Sequence, residues 1–182
     1  MTFSNGWKFK YGDYKEKTIE QAALADYKGY LFVKDSIGRG WSVNSRLEEV
    51  VEKLNNFVPS VKCSHCNDIA DYLSIIELHD MKHDSYKDID VYGLIDISVS
   101  PEHVLCESHK NSVPEGIAGS ASVYPIKFDI ITDFNARNKD NKYKMPQDAI
   151  SKVFHTLRAC AGFRGKATEK NCSDFIDNLK QK

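Results

Sequence analysis

The chain has 182 residues and a mass of 20.7 kDa, with 41% hydrophobic, 11% aromatic and 28% charged residues and a formal net charge of −1. That length can bury a core, as one compact domain or as small modules sharing one, and the hydrophobic and aromatic content excludes a disordered chain. No run of about 18 apolar residues occurs, which excludes a helical membrane span, and the start MTFSNGWKFKYGDYKEK lacks the apolar core of a signal peptide. Five cysteines, an odd number that includes a Cys-x-x-Cys, argue against a secreted disulfide framework. The expectation is a soluble, intracellular (cytoplasmic) protein.

The near-zero charge hides an uneven distribution. Residues 1–62 carry 10 Lys/Arg against 8 Asp/Glu, residues 63–109 carry 2 against 10, and residues 110–182 carry 13 against 8. The acidic middle is a poor phosphate binder and the basic C-terminal third a fair one, although segments of opposite sign that pack together or face solvent explain the same numbers.

In chain order, Thr18 and Gln21 have capping-box spacing ahead of a short helix over Ile19–Ala25. Gly29-Tyr30-Leu31-Phe32-Val33 is an apolar run that suits a helix or a strand. After a Gly38-Arg39-Gly40 loop, Ser45 and Glu48 form a second capping box, and Leu47, Val50, Val51 and Leu54 share one face of a helix over 46–57, closed by Pro59. The period then changes. Tyr72–Ile76 and Val91–Val99 read as strands joined by a polar hairpin loop over His79–Asp90, and Val123–Ile131 as another strand. Pro146 at a first helical position starts a helix with Ile150, Val153, Phe154 and Leu157 on one face, up to Gly162, and Ser173–Leu179 makes a last short helix. The expected class is α+β: a small antiparallel sheet with a zinc-bound hairpin module and flanking helices. The expected segments are 1–60, 61–112 and 113–182, packed as one unit.

The strongest chemical signal is Cys63-Ser64-His65-Cys66 followed by Cys106-Glu107-Ser108-His109. Zinc takes four soft or borderline ligands at tetrahedral corners, and two ligands separated by two residues reach one ion from a tight turn. The intervening segment contains the two predicted strands, which carry the chain out and return it to the second turn. Four protein ligands leave no open position, so such an ion is structural. Ordinary buried thiols, or a redox Cys-x-x-Cys, are the alternative readings. His103 can replace His109 as fourth ligand, and His79 and His83 have the i, i+4 spacing of two ligands on a helical turn or sit in a solvated loop. Cys160 and Cys172 are expected as core thiols.

The words Cys63-x-x-Cys66-x-x-x-Ala70-x-Tyr72-Leu73, then Leu105-Cys106-x-x-His109, resemble the small zinc-ribbon modules of phage and prokaryotic proteins, over about a quarter of the chain. The resemblance implies a structural zinc. The family usually has Gly soon after the second Cys; Asn67 stands there, and Asn tolerates the left-handed backbone.

Near the N-terminus, Phe9 to Glu20 and then Asp26-Tyr27-Lys28-Gly29-Tyr30-Leu31 resemble a short module found C-terminal to DnaQ-like exonuclease domains. In that pattern a hairpin precedes two short helices, and Glu16 occupies a place where the family prefers Gly. The resemblance implies a fold fragment and an association with DNA metabolism, and carries no catalytic residue. Trp7, Phe9, Tyr11 and Tyr14 interleave with Lys8, Lys10, Lys15 and Lys17; on a strand this puts rings on one face and amines on the other, a surface that stacks bases and holds phosphates or a hairpin that packs its rings inward. Arg137, Lys139, Lys142 and Lys144, with Arg158, Arg164, Lys166 and Lys170 beyond them, form a second basic region able to touch nucleic-acid backbone, or a solvated loop.

The functional reading is a non-catalytic zinc-binding protein that binds DNA or RNA or a nucleic-acid-processing complex. Two alternatives stand beside it. One is a metal-dependent nuclease using Asp88, Asp90, Asp96 or Asp129 with histidines of the 79–83 segment; the other is an adaptor that offers its acidic middle to a basic protein partner.

Overall fold

The computed structural model describes residues 7–84, 89–112, 119–137 and 145–182; within residues 78–84, 89–96, 119–120 and at 137 it describes the backbone. Thr18 caps α1 (Ile19–Ala25): its hydroxyl accepts the Gln21 N–H, and its own N–H donates to the Gln21 amide oxygen, the expected box. One residue later Asp26 caps α2 (Tyr27–Asp35), accepting the Gly29 N–H at 2.8 Å and the Tyr14 hydroxyl at 2.6 Å. That cap makes the ambiguous run Gly29–Val33 a helix. Gly29 is required where α2 crosses α1, because a Cβ there would lie 2.0 Å from the Ala22 carbonyl oxygen.

Helix α3 (Asn44–Asn55) buries Leu47, Val50, Val51 and Leu54 as their spacing predicts. Its start differs from expectation. Ser45 lies inside the helix, Val43 holds the cap position without a side-chain bond, and the Ser45–Glu48 box does not form. Asn44 does the local work instead, accepting the Gly38 N–H and donating to Glu48.

Strand β1 (Tyr72–Asp84) is the centre of a four-stranded antiparallel sheet with β2 (Ile89–Ser98), β3 (Val104–Leu105) and β4 (Gly119–Pro125). β2 pairs with the outer part of β1, β3 pairs with its first two residues, and β4 runs along the opposite edge from Tyr72 to Leu78. The polar loop expected over 79–90 is therefore largely ladder, with a register shift between Leu78 and His79. Polar composition hid the strand, because a hairpin arm needs no buried face to complete its backbone bonds. His79 and His83 accordingly sit on a strand and not on a helical turn. The strand expected over 123–131 ends at Pro125, and Ile130 and Ile131 open α4 (Ile130–Arg137).

Helix α5 (Gln147–Cys160) buries Ile150, Val153, Phe154 and Leu157, with Pro146 one place earlier than expected, at the cap. Helix α6 (Glu169–Asn178) begins ahead of the predicted Ser173 because Thr168 caps it, accepting the Asn171 N–H. The helices meet around Phe128, whose ring touches Tyr30, Phe57 and Phe154 with centroids 5.6–6.0 Å apart. Arg46 ties α1, α3 and α6 together through Glu20, Glu49 and Asp177, each at 2.8 Å. Cys160 and Cys172 are fully buried, and burial pushes both thiols up to about 12, as befits core residues.

Next to Phe128, Asp129 accepts hydrogen bonds from Tyr30 (2.9 Å) and Lys34 (2.6 Å), while its own N–H donates to Asn55 (2.8 Å). Partial burial acts to raise the Asp129 carboxyl, but the Lys34 ammonium and the Tyr30 hydroxyl outweigh it and hold it below its usual range. A depressed carboxyl adds stability that is complete above its unfolded value, about 3.9, and is lost as the pH falls through the folded one. Asp129→Asn is thus expected to cost about 1–2 kcal/mol at pH 7 and progressively less towards pH 3, read from denaturant midpoints of both proteins across that range. Gly29→Ala, which drives a methyl into the α1 backbone, is expected to lower the melting temperature by roughly 5–10 °C; an unchanged value would refute the close approach.

Candidate metal centre

The centre is built from two tight turns that the sheet brings together. In the first, Cys63–Cys66, the Cys63 N–H donates to the Asp68 carbonyl (2.8 Å), the His65 N–H points at Cys63 Sγ (3.4 Å), and Lys62 bridges Ile69. The second is a 3-10 turn, Glu107–His109, entered from Cys106 and closed by the His109 N–H on the Cys106 carbonyl at 3.0 Å. β3 delivers it: Leu105 pairs with Tyr72, so Cys106 leaves the ladder beside the residues that precede β1. Ser64 fastens the turns to each other, its N–H donating to the Val104 carbonyl (2.8 Å) and its hydroxyl accepting the Val104 N–H (3.2 Å).

As a result Cys63 Sγ, Cys66 Sγ, Cys106 Sγ and one nitrogen of His109 all lie within 4.8 Å of one another. Cys66 and Cys106 sulfurs are 3.7 Å apart, and His109 Nδ1 is 3.3 Å from Cys106 Sγ and 3.7 Å from Cys63 Sγ. Two thiolates about 2.3 Å from a tetrahedral ion are separated by about 3.8 Å, so these edges match four ligands around one centre. Among the described residues this is the one group of three or more His, Cys, Asp or Glu side chains whose ligand atoms converge. No disulfide is formed; all five cysteines are free.

The thiols are already biased. Burial works to raise Cys63, yet the backbone amides of His65, Cys106 and Cys66 overcome it and bring the thiol down to about 6. Cys66 moves the other way, to about 11: the Asp68 amide favours its thiolate, but desolvation and the neighbouring sulfurs and Asp68 carboxylate outweigh that amide. The Cys63 thiolate is thus stabilised by backbone, while the Cys66 thiol keeps its proton until a cation displaces it.

The sequence-predicted set of Cys63, Cys66, Cys106 and His109 is the set the structure assembles. His103 is not part of it; its Nδ1 is buried without a hydrogen-bond partner, near Ser74, whose N–H donates to the His103 carbonyl. His65 faces His109 with ring centroids 5.4 Å apart. Sequence reading missed Ser64, because nothing local marks a serine as the clasp between turns some forty residues apart.

The predicted nucleic-acid residues fare unevenly. The segment carrying the N-terminal lysines is not a strand; the Phe9 N–H donates to Lys17 and the Glu16 N–H returns to Phe9, closing a loop whose Phe9 and Tyr14 rings are buried. Glu16 has φ +63°, the left-handed backbone that favours Gly. Lys8 is paired with Glu169 at 2.9 Å and Lys17 lies over the Tyr14 ring, whereas Lys10 and Lys15 are exposed. Arg137 is described only by its backbone at the end of α4, and Lys139, Lys142 and Lys144 lie outside the described residues. Arg158 is turned inward, 4.6 Å from the Phe163 ring centre. Of the carboxylates considered for a nuclease, Asp129 is engaged in the core network, Asp90 and Asp96 lie on β2, and Asp88 is outside the described residues. No helix of the described residues is long and apolar enough to cross a membrane.

No protein-family model matches this chain, and no curated protein or solved structure matches it either.

Elemental analysis of the purified protein is expected to give about one metal ion per chain. Cys63→Ser, Cys106→Ser and His109→Ala should lose it with a fall in melting temperature, while His103→Ala keeps it. Because protons compete with the ion for every ligand, metal affinity is expected to fall as the pH drops, most steeply below about 6, where the Cys63 thiolate also takes up a proton. Metal content and melting temperature both unchanged in Cys106→Ser would exclude the centre.

Proposed function

We propose that the Cys3His cluster holds a structural zinc ion and that the protein is a non-catalytic, zinc-stabilised module that binds nucleic acid. The observation that carries the metal half is the mutual approach of four protein ligand atoms within 4.8 Å; four such ligands on one zinc ion would fill its tetrahedron and leave no position for water or substrate. Three thiolates and an imidazole are a donor set that suits zinc over harder ions such as Mg²⁺ or Ca²⁺. Structural zinc contributes an apparent binding free energy of about 10–16 kcal/mol in finger peptides, enough to hold two short turns that bury little apolar surface. The resemblance of residues 63–109 to zinc-ribbon modules supports the same assignment.

For the nucleic-acid half the support is the exposed cations Lys10 and Lys15 beside Tyr11, which is 83% exposed. The resemblance of the N-terminal module to one that accompanies DnaQ-like exonuclease domains points the same way. The test is a shift assay with single-stranded DNA and RNA at several salt concentrations. Binding is expected to weaken as salt rises, and the double variant Lys10→Ala/Lys15→Ala should flatten the plot of log K against log salt by about 1.4, two phosphate contacts' worth for a single strand. Absence of binding at low salt to both nucleic acids would leave the acidic middle segment, and a basic protein partner, as the reading to pursue.

A further inference from the structure

On the helical side of the molecule, remote in sequence from the metal ligands, the loop before α1 and the loop before α3 enclose an open cleft of about 460 Å³. Its volume falls within the range of small-molecule sites, roughly 300–1,000 Å³. Five rings wall it: Trp7, Phe9, Tyr11, Phe32 and Trp41. Phe9 is its buried floor, in edge contact with Trp7 and Phe32 (both 4.9 Å) and with Trp41 (5.9 Å), so the ring positions are set by the core behind them. Trp7 and Trp41 are 6.0 Å apart and inclined at 37°. Tyr11 stands out into solvent, and Gly12, at φ +81°, turns the chain beside it.

The charged side chains of the lining are both cations, Lys10 and Arg39; no carboxylate is among the lining residues. Arg39 is anchored by its Nε donating to the Asp35 carbonyl (2.8 Å), and its guanidinium lies over the Trp41 ring at 6.0 Å. Neither Lys10 nor Arg39 forms an ion pair with a described carboxylate. The site therefore offers π faces for a flat ring and, for an anion joined to it, two positive charges that no described carboxylate pairs. A cationic ligand, such as a methylated lysine in an aromatic cage, is repelled by the same two charges and finds no counter-charge. A base with its flanking phosphates matches both features, and stacking on aromatic side chains tolerates any base.

We infer that this cleft holds a base of a single-stranded nucleic acid, stacked on Trp41 and Tyr11, with Arg39 and Lys10 taking the adjacent phosphates. The inference deepens the nucleic-acid reading above and rests on it. Sequence reading singled out Trp7, Phe9 and Tyr11 but not Arg39 and Trp41, which lie some thirty residues on in a Gly-rich loop.

The chain's two tryptophans both line the cleft, so its selectively excited tryptophan emission reports on this site. The probe is a ten-residue oligo(dT), with its blunt duplex with oligo(dA) and a ten-residue abasic phosphodiester as comparisons. The single strand is expected to quench the tryptophan emission in a saturable way; the duplex and the abasic strand should quench little. Tyr11→Ala and Arg39→Ala, both on exposed side chains and checked for fold by circular dichroism, should each raise the Kd roughly tenfold or more. Because Trp41→Ala removes part of the wall, Trp41→Phe serves as the conservative control and should retain most of the affinity. Binding seen by fluorescence anisotropy of a labelled strand, without tryptophan quenching and unaltered in Tyr11→Ala, would overturn the cleft while leaving the nucleic-acid reading intact. No binding by either readout would overturn both. Quenching by a proline-rich peptide but not by the strand would overturn the inference in favour of a peptide site.

Discussion

At the start of β1, Tyr72 and Leu73 are paired with β3 on one edge and β4 on the other, and that double pairing is the constraint on which the arrangement depends. On one side they face Leu105 and Val104, on the other Pro125 and Tyr124. The first pairing returns the chain to the Cys63–Cys66 turn, so that Cys106 and His109 arrive where two thiols already stand. The second carries β4 into Ile126 and Phe128, which enter the core of the helices. A short length of ladder thus couples the metal-ligand cluster to the aromatic core. Backbone hydrogen bonds are suited to this, because they fix register to the residue and flip every side chain if it slips.

The two ends of that coupling are held by different physics. The helical part is a packed aromatic and aliphatic core, with partly buried charges held by named partners: Asp129 by Tyr30 and Lys34, Asp26 by Gly29 and Tyr14, Arg46 by three carboxylates. The bonds of Asp129 to Tyr30 and Lys34, and of Arg46 to Glu20 and Asp177, join elements that are not neighbours along the chain. The two turns of the cluster have little core of their own. Cys63 and Cys106 are buried, but the residues around them, from Ser64 to Ile69 and from Glu107 to Ser108, are mostly exposed. A small module of this kind needs a staple where hydrophobic burial is insufficient. Four converging ligand atoms supply one without asking the chain for more apolar surface.

Much of the organisation was legible because it is written in local chemistry. Thr18 and Gln21 cap α1 as their spacing says, the faces of α3 and α5 follow the helical period, and Cys-x-x-Cys with Cys-x-x-His marks two turns that fit a single centre. The misreadings have equally local causes. The segment from His79 to Asp90 is mostly polar in sequence, which leaves no clear alternation to detect. Ser45 has the right chemistry for a cap but lies two positions past Val43, which holds the cap, while Asn44 between them accepts the Gly38 N–H. Ile130 and Ile131 look like the end of a strand until Asp129 is seen to turn the chain through its bonds to Asn55 and Lys34.

By itself, then, the sequence determined the residue types that can ligate a metal, their two-residue spacing within each turn, the main helical faces and the α+β class. These depend on interactions within a few residues, where spacing along the chain is spacing in space. Only the tertiary structure decided that His109 and not His103 joins the three thiols, that Asp129 is spent in the core, and that Trp41 and Arg39 stand beside Trp7 and Tyr11. Those outcomes rest on contacts between residues thirty to a hundred positions apart. Such contacts are set by how strands pair and helices cross, and no local pattern in the chain encodes them.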